Sequence, residues 1–347
     1  MPPKKPRKTQ RKRKGLTAKE RSQVSKIAKG AISSVAEKKY MDSAQFTSIN
    51  PVAATATNAT VSCLCFSSTT NESPNGSVLT YGTLPIREQL CLRPFSVDRS
   101  NDTPGADTSN YIIGKECKPV SCRSQWRIQR QAASMDSITS LGSTNTPGGL
   151  IGVGPDQYPN GLAEACPIVC RMVRFVVKNL AGTDTEYNPS ADLFLNMRGD
   201  AVGVSKSEFK QKEMLAYKVN NRRYTTLDDK VFTLQNPLTV QYTWAPKASS
   251  TSDEGLWVPQ VSNGSANCEK YITLNQMLTQ KRHGSVYYPE PITSTYDNAT
   301  VGQRREFTAF HFYYKGADNL VGGATGGLKG PLDVTIDLVN TTKFIDV

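Results

Sequence analysis

The residues best placed to do chemistry are cations. Lys4, Lys5, Arg7, Lys8, Arg11, Lys12, Arg13 and Lys14 put eight bases in the first fourteen positions, and Lys19, Arg21, Lys26, Lys29, Lys38 and Lys39 follow. Residues 1–39 hold 14 of the 42 Lys and Arg against two acids, Glu20 and Glu37, which leaves 14 minus 2, or +12. The whole chain is also +12, so residues 40–347 are neutral by count. Lys and Arg at this density neutralise phosphates and displace condensed counterions, which gives salt-sensitive binding without sequence preference. Lys4 to Lys14 is also a basic run of the nuclear-import type. Residues 1–39 contain no Phe, Tyr or Trp, which argues against base-specific readout of single strands by this arm.

Other reactive groups are sparse. The two histidines, His283 and His311, give little material for a triad or a His-based metal site. His283 falls in a turn-like Lys-Arg-His-Gly, and His311 in an aromatic run that reads as core. Eight cysteines are scattered without a Cys-x-x-Cys pair, so the reading expects buried free thiols and no zinc. Gly-x-Ser-x-Gly, phosphate-loop and His-Glu-x-x-His motifs are absent. Asp228 and Asp229 are adjacent, so on a strand they face opposite ways and do not clamp one ion. No catalytic residue, metal or cofactor is expected.

The elements that must carry this charge divide into an arm and a body. Residues 1–39, with Pro2, Pro3 and Pro6 and little to bury, should be disordered until they meet a polyanion. Within them Thr17 and Glu20 form a capping box, and Val24, Ile27, Ala28, Ala31 and Val35 recur at helical spacing, which predicts a short helix over 17–35. That helix packs against a neighbour, lies along nucleic acid, or frays.

Residues 40–347 are ample for one large domain, and 20 Pro and 25 Gly among Ser/Thr/Asn-rich stretches favour short strands and long loops. Strands are predicted at Lys39–Ile49, Val61–Phe66, Val120–Gln131, Pro167–Lys178, Lys230–Leu234, Val240–Trp244, Glu306–Lys315 and Leu332–Val339. In the last, Val334, Ile336 and Leu338 alternate with Asp333, Thr335 and Asp337, as in a strand with one wet face. Long loops are expected at 96–110, 132–165 and 316–330. The fold class is all-β, a jelly roll or related sandwich. No run is apolar enough to span a bilayer, and no hydrophobic segment follows the N-terminal charge, so neither membrane insertion nor conventional secretion is expected.

Gly105 to Lys115, leading into the Val120–Gln131 strand, and Asn221-Arg222-Arg223-Tyr224-Thr225-Thr226-Leu227-Asp228-Asp229-Lys230 resemble segments of capsid proteins from small circular single-stranded DNA viruses of the circovirus type. Lys270 to Leu274, Phe307 to Tyr314 and a terminal strand closing on Lys343 to Asp346 follow in the same order. The insertion at 132–165 departs from that pattern. The resemblance implies a single jelly-roll subunit of eight main strands with long loops at 40–347, self-assembly into an icosahedral shell, and an interior arm on packaged DNA. Arg222 and Arg223 would face the inner wall, where they touch nucleic acid or pair with Asp228 or Asp229. The implied partners are further copies of the chain, viral single-stranded DNA, host import machinery and a host receptor; the implied locations are the virion and, during assembly, the host nucleus. Two alternatives stay open: a capsid protein of a small positive-strand RNA virus, and a cellular jelly-roll binding module with a basic localisation tail.

Overall fold

Ile168-Val-Cys-Arg-Met-Val-Arg-Phe-Val-Val177 and Glu306-Phe-Thr-Ala-Phe-His-Phe-Tyr-Tyr314 are β-branched or aromatic at most positions, with no alternation of wet and dry. Such runs belong to strands buried on both faces. In the structure, a computed structural model, they pair at the centre of one sheet, and all nine residues of the second run are buried. The structure describes residues 16–35, 38–53, 60–69, 77–89, 91–92, 116–131, 167–178, 187–206, 209–235, 237–246, 255–263, 266–280, 284–288, 302–315 and 330–346. The expected loops at 96–110 and 132–165, most of that at 316–330, and His283 lie outside them.

The main elements are α1 (Ala18–Val35), β1 (Lys38–Ile49), β2 (Ser62–Ser67), β3 (Glu116–Arg130), β4 (Ile168–Val177), β5 (Tyr224–Leu234), β6 (Leu238–Pro246), β7 (Gly255–Asn263), β8 (Glu269–Gln276), β9 (Glu306–Tyr314) and β10 (Val334–Asp346). The chain is all-β in class, with antiparallel sheets and few helices. One sheet has the order β1-β10-β3-β8 and the other β5-β4-β9-β2, with Val52–Ala53 beyond β2. Strands β6 and β7 form a separate two-stranded ribbon. If the ribbon is set aside, eight strands remain, numbered one to eight along the chain, and their orders are 1-8-3-6 and 5-4-7-2.

The two sheets share a core. Trp126 and Ile128 of β3, Leu274 of β8 and Ile336 and Leu338 of β10 meet Phe66 of β2, Met172 of β4 and Phe310 and Phe312 of β9. Phe66 stands edge-on to Trp126 with centroids 4.8 Å apart, and Trp126 lies 5.3 Å from Phe310. A second core covers the other face of the β5-β4-β9-β2 sheet. There Cys65, Val173, Phe175, Phe307 and Ala309 pack under Tyr81 and Ile86 from one connection and Leu193, Phe194, Val204, Phe209 and Met214 from another.

The second cover comes from residues 187–223, which hold helices α2 (Pro189–Asp192) and α3 (Gln211–Ala216) and strands of two residues each. Asn188 caps α2 by accepting the Ser190 N–H at 3.2 Å, and Pro189 sits at its first position, where a missing N–H costs nothing. Gly203 closes the cover onto α2, since a Cβ there would stand 2.2 Å from the Ser190 carbonyl oxygen.

The predicted strands are present, with shifted ends. β3 starts at Glu116 and β5 at Tyr224, and β10 continues to Asp346 because its pairing with β1 and β3 extends past Val339. The cover over 187–223 and the strand β7 had no sequence counterpart.

Trp126 is 1% exposed and contributes to both aromatic contacts at the centre of the shared core. Trp126→Ala should lower unfolding free energy by about 3–5 kcal/mol, read from the denaturant midpoint of the arm-containing chain. A loss within about 0.5 kcal/mol would show that the two sheets do not depend on this contact.

Candidate nucleic-acid interface

The basic arm enters the described residues at Leu16. The Thr17 N–H and hydroxyl both donate to Glu20 Oε2, at 2.8 and 2.7 Å, and the Glu20 N–H donates back to the Thr17 hydroxyl at 3.3 Å. The capping box read from the sequence is therefore made, and these bonds hold the Glu20 carboxyl below its ordinary range. At about 100° per residue, Lys19, Arg21 and Lys26 fall on one half of α1 and Val24 and Ile27 on the other. Residues 16–28 are all exposed, Val24 by 52% and Ile27 by 71%. Lys4, Lys5, Arg7, Lys8, Arg11, Lys12, Arg13 and Lys14 lie outside the described residues.

The arm meets the body at an ion pair. Lys39 is 1% exposed, and its Nζ stands 2.9 Å from Asp346 Oδ2 at the end of β10. Lys39, counted with the arm by charge and placed by its sequence at the start of the first strand, is locked into β1 by a carboxylate 307 positions away. Residues 1–38 then carry 13 bases against two acids, +11, and residues 39–347 carry 29 against 28.

Beside the joint lies a feature that the sequence reading missed. Tyr40 is 52% exposed on the wet face of β1, opposite Lys343 of β10, whose ammonium stands 5.2 Å over the ring centroid. Lys38 is exposed two residues earlier. An aromatic face with two cations, placed where the arm leaves the body, suits the stacking of a base beside a phosphate. The signal was Tyr40 itself, one residue past the arm's assumed limit.

Arg222 and Arg223 are placed differently from expectation. Neither pairs with Asp228 or Asp229. Arg223 Nη1 bonds Asp192 Oδ2 at 3.0 Å, and the Tyr224 hydroxyl donates to the other oxygen of the same carboxylate. Burial raises the Asp192 carboxyl above its ordinary value, opposed by Tyr224 and Arg223. Asp229 instead takes a two-pronged bond from Arg171, at 2.9 and 2.7 Å, while Asp228 pairs with Lys230 at 2.6 Å. The swap follows from geometry, because the tight turn at 220–223 aims Arg223 back at α2 and away from β5. Arg222 is exposed and donates to the Gly199 carbonyl at 3.4 Å. The structure therefore gives Arg223 a framework role and leaves Arg222 at the surface.

His311 sits in the second core, fully buried. Its Nδ1 lies 3.2 Å from the Arg171 carbonyl oxygen and its Nε2 2.6 Å from the Tyr81 hydroxyl. A carbonyl only accepts, so Nδ1 carries the proton and Nε2 accepts from Tyr81. Burial, with the nearby Arg171 guanidinium, lowers its pKa to about 3. A histidine locked neutral beneath a cover acts as a packing residue and not as a base. The seven described cysteines are all free, six of them buried, and burial raises the thiols of Cys63, Cys65 and Cys170.

No family model matches the chain, and no curated protein is found to be similar to it.

Two outcomes follow. Tyr40→Ala combined with Lys343→Ala should weaken binding of an oligothymidine by about 1–3 kcal/mol with the thermal transition retained; unchanged affinity would remove this pair from the interface. For His311 the folded pKa is depressed, so the folded state binds fewer protons than the unfolded one between pH 6.5 and 3. Its contribution is present above pH 6.5 and lost as pH falls toward 3, by at most about 5 kcal/mol. The double variant His311→Phe, Tyr81→Phe should flatten that acid limb in denaturation curves, and an acid limb identical to that of the unaltered chain would contradict the assignment.

Proposed function

We propose that this chain is a viral capsid subunit: a jelly-roll body that assembles into an icosahedral shell and an arm that packages single-stranded DNA. The observation that carries the reading is the partition of charge across the Lys39–Asp346 joint, +11 on one side and nearly zero on the other. Many copies of a neutral body can pack edge to edge without mutual repulsion, while their arms bring counter-charge to a common interior. The orders 1-8-3-6 and 5-4-7-2, with every neighbour antiparallel, are those of a jelly roll and support that finer description of the fold.

In this reading the protein acts by binding and assembly, without catalysis. Lys4 to Lys29 hold phosphates, α1 presents its cations along the polymer, and Tyr40 with Lys343 receives a base where the strand reaches the wall. Arg222 adds a contact to the wall. The run at Lys4–Lys14 also serves import into the host nucleus, where the genome is packaged.

The arm's role has a quantitative signature. If its twelve cations from Lys4 to Lys29 engage a single strand, the logarithm of affinity should fall with the logarithm of salt at a slope of roughly −8, about 0.7 per cation. Removing residues 1–37 leaves the Lys39–Asp346 pair intact, so the body should keep its cooperative thermal transition while the slope collapses toward zero. Retention of a steep slope by the shortened chain would place the polyanion site on the body and overturn the division of labour.

A further inference from the structure

Along β3 every second residue from Cys122 to Ile128 is buried, and these residues face the shared core. The core changes character along them. Trp126 and Ile128 meet apolar neighbours, whereas Ser124 pairs in register with Asn340 of β10, and Cys122 lies between Thr342 of β10 and Gln276 of β8. All five of these polar or thiol residues are buried. Residues 86–92 enter at this end of the sandwich. Arg87 and Glu88 pair in parallel with Phe66 and Ser67 of β2, and the Gln89 and Cys91 N–H groups donate to the Ser67 and Ser68 carbonyls at 2.6 and 3.3 Å. The backbone of this segment thus belongs to the β5-β4-β9-β2 sheet. Its side chains reach the opposite one: Gln89 Nε2 donates to Ser124 Oγ and to Asn340 Oδ1, each at 2.7 Å.

Two thiols meet at this crossing. Cys91 Sγ lies 2.7 Å and Cys122 Sγ 3.6 Å from one acceptor, Gln276 Oε1. The Thr342 hydroxyl bonds the Cys91 carbonyl and stands 3.4 Å from Cys122 Sγ, so it fixes both residues from the other side. The Cys91 thiol also bonds the Cys122 sulfur. That contact, with the Thr342 hydroxyl, holds the Cys122 thiol below its ordinary range against the opposing effect of burial, while burial pushes the Cys91 thiol up. One member of the pair is therefore the better nucleophile, and the other keeps its proton.

We propose that Cys91 and Cys122 are a redox pair, oxidised by a water-sized peroxide to a disulfide that ties the two sheets together. Cys91 is 0% and Cys122 3% exposed, which keeps out bulky oxidants and leaves a small one. The Cys122 thiolate attacks one peroxide oxygen: the S–O bond forms, the O–O bond breaks, and the departing hydroxide takes up the proton that Cys122 released. The Cys91 sulfur then attacks the Cys122 sulfur, so the S–S bond forms and the S–O bond breaks. The second oxygen leaves as water with the Cys91 proton. Each sulfur gives up one electron, and the peroxide is reduced to two waters.

The product differs from the reduced fold in what it constrains. Gln89 already links the sheets by hydrogen bonds, and the disulfide adds a covalent link beside it. Closing the chain between residues 91 and 122 also removes freedom from the unfolded state. The body is thus unlocked under reducing conditions and locked under oxidising ones.

The unaltered full chain, reduced and then treated with one equivalent of hydrogen peroxide, should lose two of its eight thiols when titrated after denaturation. Tandem mass spectrometry should find Cys91 joined to Cys122. The thermal midpoint should rise by roughly 5 °C or more and return to its starting value with dithiothreitol. Cys117, buried in the same cluster, is the control: Cys117→Ser should keep the cross-link and the shift, and Cys91→Ser should lose both. Two intact thiols at 91 and 122 after treatment, Cys122 joined to Cys117, or a cross-linked chain with an unmoved midpoint would overturn the proposal. The mapping uses the unaltered chain, so a variant that fails to fold leaves the test standing. None of these results bears on the capsid reading, which rests on the arm and on assembly.

Discussion

Strand β9 sets the terms for the rest of the body. It lies between β4 and β2 with an apolar core on each side and every residue buried. A sheet with such a strand at its centre needs a partner on both faces. The β1-β10-β3-β8 sheet supplies one, and the short elements at 79–86 and 187–219 supply the other. Polar groups caught in this arrangement have to find partners inside. His311 does so through Tyr81 and the Arg171 carbonyl. Arg171 does so through Asp229 and the carbonyls of Met214 and Tyr217, which also ties the cover to the sheet. Arg174 pairs with Glu306 in its own sheet and reaches the Asn275 carbonyl in the other.

That arrangement bears on function through what it leaves outside. Arg171 and Arg174 of the covered sheet, Arg223 in the turn before β5 and Lys39 of the other sheet each serve an ion pair within the body. On the wet face of the other sheet, Arg127 is shared between Glu269 and Asp337. By count the net positive charge lies in residues 1–38, +11 against +1 for residues 39–347, and that segment meets the body at the buried Lys39, beside Tyr40 and Lys343.

The parts of this fold that were legible in the sequence are those fixed by local pattern. β4 and β9 announce themselves by density of β-branched and aromatic residues, β10 by the alternation of Val334, Ile336 and Leu338, and the start of α1 by Thr17 and Glu20. What local pattern could not carry was set by distant partners. Lys39 looks like arm until Asp346 is placed beside it, and Arg223 looks paired with Asp228 or Asp229 until the turn at 220–223 points it at Asp192. The cover at 187–223 consists of pieces of two to six residues, too short for any periodicity, and it exists because the sheet beneath needs burying. β7 was hidden by Pro259, which demotes a run as a strand unless that strand is an edge.

The central claim is that one chain combines a self-assembling neutral body with a polyanion-binding arm. Negative-stain electron microscopy of the purified full chain tests it most directly, with nuclease digestion of the contents after the particles are opened. The account predicts uniform closed particles that release nucleic acid. Monomers or dimers alone, with and without added single-stranded DNA, would contradict it.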